Sequence, residues 1–591
     1  MPSVTKSIDQ AATHITRDGR SWSSELGDPA SRITFAFRAT GAGSENEATF
    51  SRFSADQIAA AQEALGLWSD VANVTFVRNF GAAGFPAYSD NGTILFANYI
   101  GVDDGAGAYA HYPSPGATAS NAAAGDVWVN QYYGSNSDVS LGTYGFGTLI
   151  HEIGHALGLQ HPGNYNAGPD VDITYAANAE YIEDSRQYSM MSYFQAAETG
   201  ADHVDGSRII YGATPLLHDI AAIQLLYGAN MKTRTGDTTY GFNANADRES
   251  FHIDNAGEKV VFAVWDAGGK DTFDFSGYSE DQWIRLGGGQ FSDVGGLTKN
   301  VAIAQGADIE DAKGGSGNDH VIGNDVANHL YGNRGDDYLN GGRDADILEG
   351  GDGNDTLIGG SGSDVMLGGL GDDDYYVDEV GDTVSDFVGI STGPNGAGPL
   401  AGSGPVTNVN AGIDTVRTSL GSYTLGKFME NLTATRWENF TGTGNELGNV
   451  ITGNDGADTL KGLAGADILI GGRGRDVLYG GSEADVFLFK SLTDTGTTSS
   501  TRDIIADFRL DHDRIDLSAI DARSNVGGND IFRFVDNRAF SGLSGELHYV
   551  SRTVAGVSST IVEGDVNGDR LADFQIELSG RYALVAADFV L

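Results

Sequence analysis

The chain lacks cysteine altogether, has only 11 prolines in 591 residues, and contains no long apolar run. The absence of cysteine excludes disulfide bonds, and the scarcity of proline argues against a proline-rich disordered polymer. A membrane-spanning helix needs about 20 mostly apolar residues, so no membrane span is predicted. Basic residues are scarce too, since 35 Lys and Arg face 81 Asp and Glu, for a net charge of −46. Such a chain repels nucleic acid and anionic membranes, and neither is an expected partner.

A cleaved N-terminal export signal is not predicted either, because "MPSVTKSIDQAATHITRDG" has no basic stretch followed by an apolar one. Glycine, by contrast, is abundant at 85 residues, roughly twice its ordinary usage. The surplus of carboxylates suits calcium, which prefers hard oxygen ligands. The length of the chain predicts about two to four domains.

The first 230 residues have the pattern of a mixed α/β domain. The stretch "SADQIAAAQEALGLWSDV" opens with a capping box, Ser54 to Gln57, and predicts a helix. One face of that helix is apolar and is formed by Ile58, Ala61, Leu65 and Trp68. "NVTFV" and "GTILFANYI" are rich in β-branched and aromatic residues and predict strands. "PLLHDIAAIQLLYG" predicts a second helix, which ends at Gly228.

From Gly314 onward the sequence repeats every nine residues, in one array over 314–376 and a second over 444–490. Nonapeptide repeats of this kind form calcium-binding parallel β-rolls. The sixth position of each repeat carries an aspartate that we predict to be a calcium ligand: Asp319, Asp337, Asp346, Asp355, Asp364, Asp373, Asp458, Asp467, Asp476 and Asp485. The eighth position is apolar and is predicted to fill a narrow core: Val321, Leu330, Leu339, Leu348, Leu357, Met366 and Tyr375, then Ile451, Leu460, Leu469, Leu478 and Phe487.

The glycines of the repeats are predicted to form the calcium turns together with the aspartates. Glycine permits positive φ angles, and turn carbonyls add oxygen ligands. The predicted calcium-site glycines are Gly315, Gly317, Gly351, Gly353, Gly360 and Gly362. Asn328 and Asn449 replace the aspartate, so those turns are expected to bind calcium weakly or not at all. A flexible linker would have no reason to keep one apolar residue in every nine.

The repeats are predicted to be largely disordered without calcium. We expect aspartates nine residues apart to lie on successive turns, about 5 Å apart, where like charges repel by about 1 kcal/mol per pair even in water. A thin apolar stripe offsets neither that repulsion nor the entropy of ordering many glycines. Folding of this half is therefore expected to accompany calcium binding.

The remaining C-terminal segments are predicted to be a spacer and a β unit. Residues 377–443 separate the arrays, and "STGPNGAGPLAGSGP" within them predicts an exposed loop. Residues 491–591 contain short strand patterns. "DVNGDRLAD" within them has carboxylates at a spacing similar to that of an EF-hand, which indicates a further calcium loop: Asp565, Asn567, Asp569 and Asp573.

A metal site is predicted in "HEIGHALGLQH", residues 151–161. His151 and His155 lie four apart and project from one helix face, where they can bind one cation. Glu152 lies beside them as a general base for a water. Gly158 can end the helix in a left-handed conformation, so that the chain returns to deliver His161 as a third ligand. The remaining position stays open, as catalytic zinc requires. Three surface histidines on an ordinary helix are the alternative.

This motif is followed by "YSMMSY", in which Met191 precedes Ser192 and Tyr193, and then by the nonapeptide arrays. The combination resembles the serralysin family of secreted bacterial metzincin proteases. The resemblance implies one zinc ion held by His151, His155 and His161, with Glu152 as the catalytic base. It also implies that Tyr193 is a zinc ligand at rest that moves to support the oxyanion. Met191 is implied to form a floor under the metal.

The resemblance extends to calcium and export. "MKTRTGD" and "VWDAGGKDTFDFSG" are similar to the family's calcium loops. Carried over, they place calcium among Arg234, Gly236, Thr238, Asp266, Gly268, Gly269 and Asp271, the first three mostly through backbone oxygens. The ending "AADFVL" is similar to the family's uncleaved C-terminal signal for type I secretion machinery. The resemblance thus implies a secreted, extracellular bacterial protein with several structural calcium ions.

The sequence therefore predicts an α/β (α+β) metzincin catalytic domain followed by an all-β parallel β-roll. The expected segments are a catalytic domain 1–228, a calcium-binding connection 229–313, a first array 314–376, a spacer 377–443, a second array 444–490 and a C-terminal β unit 491–591. The predicted function is a monomeric zinc endopeptidase that cleaves broad protein and peptide substrates. A calcium-dependent adhesin or surface-layer protein with a decayed protease domain is the main alternative. A β-roll lipase is disfavoured, because "GGSGN" at 314 lies inside a calcium turn rather than a nucleophile elbow.

Overall fold

The structure is a computed structural model that describes residues 2–30, 32–81, 87–102, 105–114, 123–169, 171–386, 412–524, 527–554 and 556–591. The chain forms two compact units, Met1–Val326 and Ala327–Leu591. The loop predicted at residues 391–405 lies outside the described residues.

The described helices all belong to the first unit, apart from one short 3-10 turn. The α-helices are α1 (Ile8–Ile15), α2 (Ala55–Val71), α3 (Tyr144–Leu157), α4 (Tyr175–Asn178) and α5 (Leu217–Tyr227). The 3-10 turns are Gly134–Ser137, Ala196–Thr199, Glu249–Phe251 and Ala586–Asp588. The predicted capping box of α2 forms, with Ser54 and Gln57 bonding reciprocally, and α5 ends at Gly228. The sequence did not predict α1, although a capping box from Ser7 to Gln10 opens it.

A five-stranded sheet forms the body of the first unit. Its strands are β1 (Ile33–Phe37), β2 (Phe76–Arg78), β3 (Ile94–Tyr99), β4 (Ala108–Ala110) and β5 (Val127–Asn130). Their order is β2-β1-β3-β5-β4, and all pairs are parallel except β4, which runs antiparallel on β5. Strand β4 lies at an edge, so one side of its backbone has no neighbour among the strands that the structure describes.

Helices α2 and α3 pack on each other beside this sheet. The Trp68 indole of α2 is fully buried and donates a hydrogen bond to the Ile150 carbonyl of α3, at 3.2 Å. Ala61 and Leu65 are buried as predicted, whereas Ile58 is only half-buried. The apolar face of α2 therefore supports the helix that carries the predicted metal ligands.

The first unit contains ten further short strands, the first two before α5 and the other eight after it. They are β6 (Val204–Asp205), β7 (Arg208–Ile209), β8 (Thr239–Gly241), β9 (Phe262–Val264), β10 (Thr272–Asp274), β11 (Trp283–Arg285), β12 (Phe291–Ser292), β13 (Val301–Ile303), β14 (Asp311–Lys313) and β15 (His320–Ile322). Parallel pairs join β8, β10 and β14, and another joins β11 and β15. The parallel architecture thus begins well before the first nonapeptide array.

The second unit is built of strands. They are β16 (His329–Arg334), β17 (Tyr338–Arg343), β18 (Ile347–Asp352), β19 (Thr356–Ser361), β20 (Val365–Leu370), β21 (Asp374–Val377), β22 (Thr383–Ser385), β23 (Thr415–Thr418), β24 (Ser422–Thr424), β25 (Asn431–Ala434), β26 (Thr441–Thr443), β27 (Val450–Thr452), β28 (Thr459–Leu463), β29 (Ile468–Ile470), β30 (Val477–Gly481), β31 (Val486–Leu488), β32 (Asp503–Ile505), β33 (Arg514–Asp516), β34 (Arg533–Phe534), β35 (Glu546–Val554), β36 (Val557–Asp565), β37 (Phe574–Ser579) and β38 (Phe589–Val590). Most pairs are parallel, and the hairpin β35–β36–β37 is antiparallel. The predicted parallel β-roll is confirmed.

Within the nonapeptide arrays, neighbouring strands come from residues 18 apart, not nine. Leu330 pairs with Leu348 in one sheet, and Leu339 pairs with Leu357 in the other. The expectation that aspartates nine residues apart stack on successive turns is therefore wrong. The reason is that consecutive nonapeptides supply strands to opposite sheets, so two repeats complete one turn. The eighth-position side chains of both sheets are buried between them, as predicted.

The described part of the predicted spacer continues the same sheet. Strand β21 of the first array pairs with β23, which pairs with β25, which pairs with β27 of the second array. Val416 and Leu432 occupy core positions in this series and are fully buried. Strands without the nonapeptide pattern therefore complete turns of the roll where an apolar residue still points inward.

Candidate active site and metal centre

Helix α3 carries the predicted metal ligands and base in a buried setting. Its N-terminus is capped by Thr143, whose side chain accepts a hydrogen bond from the Phe146 amide. The helix ends at Gly158, which adopts a left-handed φ of +111°. A Cβ atom at this position would lie 2.0 Å from the Arg20 carbonyl oxygen, so only glycine fits. The predicted break in the helix is therefore present, and the chain turns back toward His155.

Three histidine side chains converge after this turn. The Nε2 atom of His161 lies 3.2 Å from that of His151 and 3.0 Å from that of His155. Each Nδ1 lies 2.7 Å from a backbone carbonyl oxygen, namely those of Met190, Leu159 and Tyr165. A carbonyl only accepts, so each Nδ1 carries the proton and each Nε2 presents its lone pair to the shared centre.

This donor set fits zinc. Burial lowers the pKa of His155 to about 4 and holds the pKa of His151 and His161 well below the ordinary value. The rings are therefore neutral at pH 7, and three neutral lone pairs facing one point bind a divalent cation. Among the described residues, this is the one cluster of three or more His, Cys, Asp or Glu side chains whose ligand atoms all lie within 4.8 Å of one another.

Glu152 lies next to this centre with an unsatisfied carboxylate. The side chain is buried, and Oε2 has no hydrogen-bond partner in the described part of the chain. Burial raises the pKa of the Glu152 carboxyl to about 8. A cation held by the histidines would lower it, because an opposite charge favours the carboxylate. The group can then take up and release a proton near neutral pH.

The glutamate opens onto a cavity of about 270 Å³. Gly107 and Ala108, at the start of edge strand β4, line one part of it. Thr148 and His151 of α3 and the Tyr193 ring line others. The cavity thus joins the free edge of a β-strand to the predicted base and metal ligands.

The predicted methionine turn lies beneath the histidines. Met191 is fully buried, and a Cβ added at Gly154 would lie 2.6 Å from its sulfur atom, so the sulfur packs against the helix between His151 and His155. The Tyr193 ring centre lies 4.5 Å from that of His161. Burial raises the pKa of the Tyr193 hydroxyl, which therefore stays protonated and can donate a hydrogen bond.

Two buried aspartates that the sequence analysis missed hold this turn in place. Asp219 of α5 accepts hydrogen bonds from the Ser189 hydroxyl at 2.6 Å and the Met190 amide at 2.7 Å. Asp184 accepts from the Ser192 hydroxyl at 2.7 Å and the Tyr165 hydroxyl at 2.8 Å. Since Met190 and Tyr165 supply the carbonyls that orient His151 and His161, both aspartates support the ligand geometry. The signal available for Asp219 was a lone acid inside an apolar helix pattern.

The structure brings together most of the predicted calcium loop of the first unit. Asp271 Oδ1 accepts the Thr238 amide at 2.8 Å, and a Cβ at Gly269 would lie 2.6 Å from the Gly236 carbonyl oxygen. Asp266 accepts the Gly268 amide at 2.9 Å. Asp271 Oδ2 is buried without a hydrogen-bond partner in the described residues, and burial raises the pKa of Asp271 to about 8. The Arg234 side chain instead pairs with Asp70, at 2.6 Å.

The repeat aspartates share one arrangement in the second unit. In eight of the ten, from Asp346 onward, Oδ1 accepts the backbone amide of the residue 18 positions earlier, for example Asp355 from Asp337 and Asp476 from Asp458, both at 2.8 Å. The other carboxylate oxygen is buried without a hydrogen-bond partner among the described residues at Asp346, Asp355, Asp364, Asp373, Asp467, Asp476 and Asp485. Burial raises the pKa of Asp346 and Asp355 to about 7. Buried oxygens without a donor are suited to a cation.

Two further aspartates that the sequence analysis missed have the same arrangement as the repeat aspartates. Asp414 and Asp503 lie outside the strict repeat, yet each leaves a buried Oδ2 without a partner in the described residues. Asp414 accepts the Asp373 amide and Asp503 accepts the Asp476 amide. The nine-residue spacing could not identify them, because Asp414 lies 41 residues after its partner Asp373 and Asp503 lies 27 residues after Asp476.

At two predicted calcium ligands, Asp319 and Asp458, both carboxylate oxygens already accept hydrogen bonds. Asp319 accepts backbone amides from Gln282 and Gly315, and both Asp458 oxygens accept backbone amides too.

The predicted calcium-site glycines do not all share one conformation. Gly315 and Gly317 lack the left-handed φ that Gly353 and Gly362 have, at +143° and +153°. These first glycines are required instead by close approach, since a Cβ at Gly315 would lie 2.2 Å from the Tyr278 carbonyl oxygen.

At Asn449 an amide takes the place of the carboxylate. Its Nδ2 donates to the carbonyls of Met429 and Glu430, at 3.1 and 3.2 Å. The side chain thus supplies a donor where the aspartates leave an unpartnered oxygen. This favours the prediction that the Asn449 turn binds calcium weakly or not at all.

The C-terminal EF-hand-like stretch forms a turn between antiparallel strands β36 and β37. Both Asp565 oxygens accept backbone amides, from Gly568 and Arg570. Asp573 accepts the Val566 amide and the Asn567 side-chain amide. These carboxylates stabilise the turn through hydrogen bonds, and the turn is not flanked by helices.

A triad of this geometry, with a buried glutamate and a methionine turn, defines a zinc protease of the metzincin class. Two family models match the chain. The model described as matrixin, of the peptidase M10 group, matches residues 44–168. The model described as peptidase M10 serralysin C terminal matches residues 229–392 and 457–591, just over half of the chain. The chain belongs to the serralysin family of zinc metalloendopeptidases.

Curated relatives agree with this assignment. The chain is 45% identical over 333 residues to the metallopeptidase AprA of Pseudomonas marginalis, covering 55% of this chain and 67% of that protein. It is 44% identical over 330 residues to a serralysin of Proteus mirabilis, covering 54% and 65%. It is 47% identical over 318 residues to serralysin C of Dickeya chrysanthemi, covering 54% and 64%. The alignments with the last two span slightly less than two thirds of their length.

Among the described residues, no helix has both the length and the apolar character needed to cross a membrane.

Proposed function

We propose that the chain hydrolyses internal peptide bonds of broad protein substrates outside the cell. The observation that supports this most strongly is the convergence of three histidine Nε2 atoms beside the unsatisfied Glu152 carboxylate. The adhesin alternative requires a decayed centre, and the three converging histidines together with the retained Glu152 argue against such decay.

The proposed chemistry divides among five side chains. His151, His155 and His161 would hold zinc, which when bound supplies a Lewis acid for the scissile carbonyl and for water. Glu152 takes a proton from the attacking water and passes it to the leaving amine nitrogen. The Tyr193 hydroxyl donates a hydrogen bond to the developing oxyanion, and its role as a resting zinc ligand stays a prediction.

Strand β4 is proposed to align the substrate. An extended peptide adds to a free strand edge through main-chain hydrogen bonds, which are independent of sequence. Since Gly107 and Ala108 line the catalytic cavity, a peptide paired with β4 would lie beside Glu152. This mode of binding suits an enzyme with many substrates.

Calcium is proposed as the structural ion of the second unit and of the Asp266–Asp271 loop. The support is the row of buried carboxylate oxygens without hydrogen donors. Binding several ions would neutralise part of the −46 charge and tie successive turns together.

The type I secretion machinery is the proposed partner for export, with the C-terminal "DFVL" as its address. Removing about 50 C-terminal residues is expected to leave the protein inside its host. Normal export of that truncated chain would rule this out.

Digestion of casein tests the proposed activity. The protein stripped by a zinc chelator is expected to leave casein intact, and added zinc should restore cleavage. Undiminished cleavage by protein shown to be free of zinc would contradict the proposal.

A further inference from the structure

One arginine, Arg186, lies at a wall shared by two cavities of the first unit. The catalytic cavity and a second cavity of about 130 Å³ are both lined by Arg186 and Tyr211. The Arg186 guanidinium carbon lies 5.3 Å from the centre of the Tyr211 ring, over its face. The ring of Tyr211 in turn contacts that of Tyr144 on α3, with centres 5.6 Å apart. Packing on the Tyr211 ring thus holds the Arg186 guanidinium at the wall of the cavity that Glu152 also lines.

This guanidinium has no carboxylate within ion-pair distance in the part of the chain that the structure describes. The other arginines of the unit with little exposed side chain are paired, Arg234 with Asp70 and Arg38 with Asp126. Of the described residues that line the two cavities, Glu152 alone carries a carboxylate. Two other half-buried arginines of the unit, Arg78 and Arg285, lack a carboxylate partner too, but their guanidinium groups donate hydrogen bonds to side-chain or backbone oxygens. The half-buried Arg186 guanidinium donates no hydrogen bond within the described residues. Desolvating it costs free energy that no internal ion pair offsets.

The backbone fixes the position of Arg186. The Arg186 backbone amide donates a hydrogen bond to the Phe194 carbonyl, at 2.9 Å. This bond links the backbone at Arg186 to the segment that directly follows Tyr193. The flanking Ser185 and Gln187 are buried, with 0% and 1% exposure. The guanidinium is therefore presented to the cavity by a rigid segment, as a specific binding group requires.

We propose that Arg186 is a specificity-determining residue that binds a carboxylate of the substrate. This rests on the proposed peptidase function of the same cavity. A guanidinium recognises a carboxylate through paired, charge-assisted hydrogen bonds, and stacking on Tyr211 leaves its N–H edge free to do so. The carboxylate belongs either to an Asp or Glu side chain near the scissile bond or to the C-terminus of a short peptide.

Matched peptides distinguish these two sources. One series places Glu or Gln at each of the three positions on either side of the scissile bond. A second series carries a free or an amidated C-terminus. For each pair, kcat/KM is measured with the wild-type zinc enzyme and with Arg186→Gln. Arg32→Gln is the matched control, because Arg32 is exposed and lines neither cavity.

The wild type is expected to prefer the carboxylate member of one pair by about tenfold or more, as a charge-assisted hydrogen bond gives. This ratio should fall toward one in Arg186→Gln and persist in Arg32→Gln. A Glu preference assigns a side-chain carboxylate, and a preference for the free terminus assigns the terminal one. If Arg186→Gln fails to fold, Arg186→Lys replaces it and should reduce the ratio several-fold, because an ammonium lacks the planar fork.

A wild-type enzyme with no such preference at any position would overturn the proposal. So would a preference that Arg186→Gln retains in full. Failure of the wild-type zinc protein to cleave casein or any peptide would instead overturn the proposed peptidase function, and this inference with it. The two failures are therefore distinguishable.

Discussion

Asp219 supports the orientation of a predicted metal ligand, His151, through one intervening residue, Met190. Its carboxylate accepts the Met190 amide, and the Met190 carbonyl orients His151. Replacing Asp219 by Asn removes one acceptor from a fully buried site and loosens the methionine turn. Zinc affinity, measured by competition with a chelator, is expected to fall about 10- to 100-fold, the usual effect of losing a hydrogen bond behind a ligand.

The control for Asp219→Asn is Asp28→Asn, which changes an exposed carboxylate in the same way. It is expected to leave zinc affinity unaltered. Equal affinity of both variants and the wild type would show that Asp219 does not position the ligands.

The sequence could predict that three histidines converge beside Glu152, but not which groups orient them. His151, Glu152, His155 and His161 lie within eleven residues, so helix geometry and one glycine bring them together. Asp184, Asp219 and Arg186 act through contacts made in three dimensions, with partners such as Ser189 and Tyr211. Spacing along the chain carries no record of such contacts.

Helix α3 ends in a way that only glycine permits. At Gly158 the φ of +111° is strained for other residues, and a Cβ would collide with the Arg20 carbonyl at 2.0 Å. Gly158→Ala is therefore expected to displace the turn to His161, to lose zinc at micromolar concentrations and to lower the melting temperature. Zinc content and thermal unfolding measure both effects.

Gly43→Ala provides the matched control for this change. Gly43 also has a positive φ, of +76°, but a Cβ there would meet nothing within 4 Å. It should cost only the backbone strain, about 1–2 kcal/mol, with zinc retained. Retention of full zinc by Gly158→Ala would show that the break is not what delivers His161.

Elements with strong local patterns were predictable, and those defined by distant pairing were not. Helix α2 and the strands of the arrays follow from capping and from an apolar residue every nine positions. Strands β23 and β25 lack that repeat and are fixed by their neighbours in the sheet. The stacking period of 18 also escaped, because the sequence shows the length of a repeat but not how many repeats make a turn.

The folding stability of the second unit depends on the protonation of its buried carboxylates. When no calcium is bound, burial raises the pKa of Asp346, Asp355 and Asp467 to about 7, against about 3.9 in an unfolded chain. A raised folded-state pKa stabilises the fold at low pH, and that stability is lost as pH rises through about 7. Without calcium, this unit should therefore unfold as the pH rises from 5 to 8.

Circular dichroism of the full-length Glu152→Gln variant, which should not digest itself, measures this. At pH 8 in a chelator we expect a reduced β signal, which millimolar calcium restores, and at pH 5 a smaller effect of calcium. A complete β signal in a chelator at pH 8, unchanged by calcium, would show that the roll is stable without the ion.

The catalytic role of Glu152 on a centre held by His151, His155 and His161 is tested most directly by one pair of measurements. Zinc content and casein hydrolysis are determined on the same sample of Glu152→Gln and of the wild type. Gln keeps the shape of the side chain but cannot take up the proton. We predict about one zinc per chain in both proteins and at least a 100-fold lower rate for the variant. A variant that holds zinc and cleaves casein within threefold of the wild-type rate would contradict the mechanism.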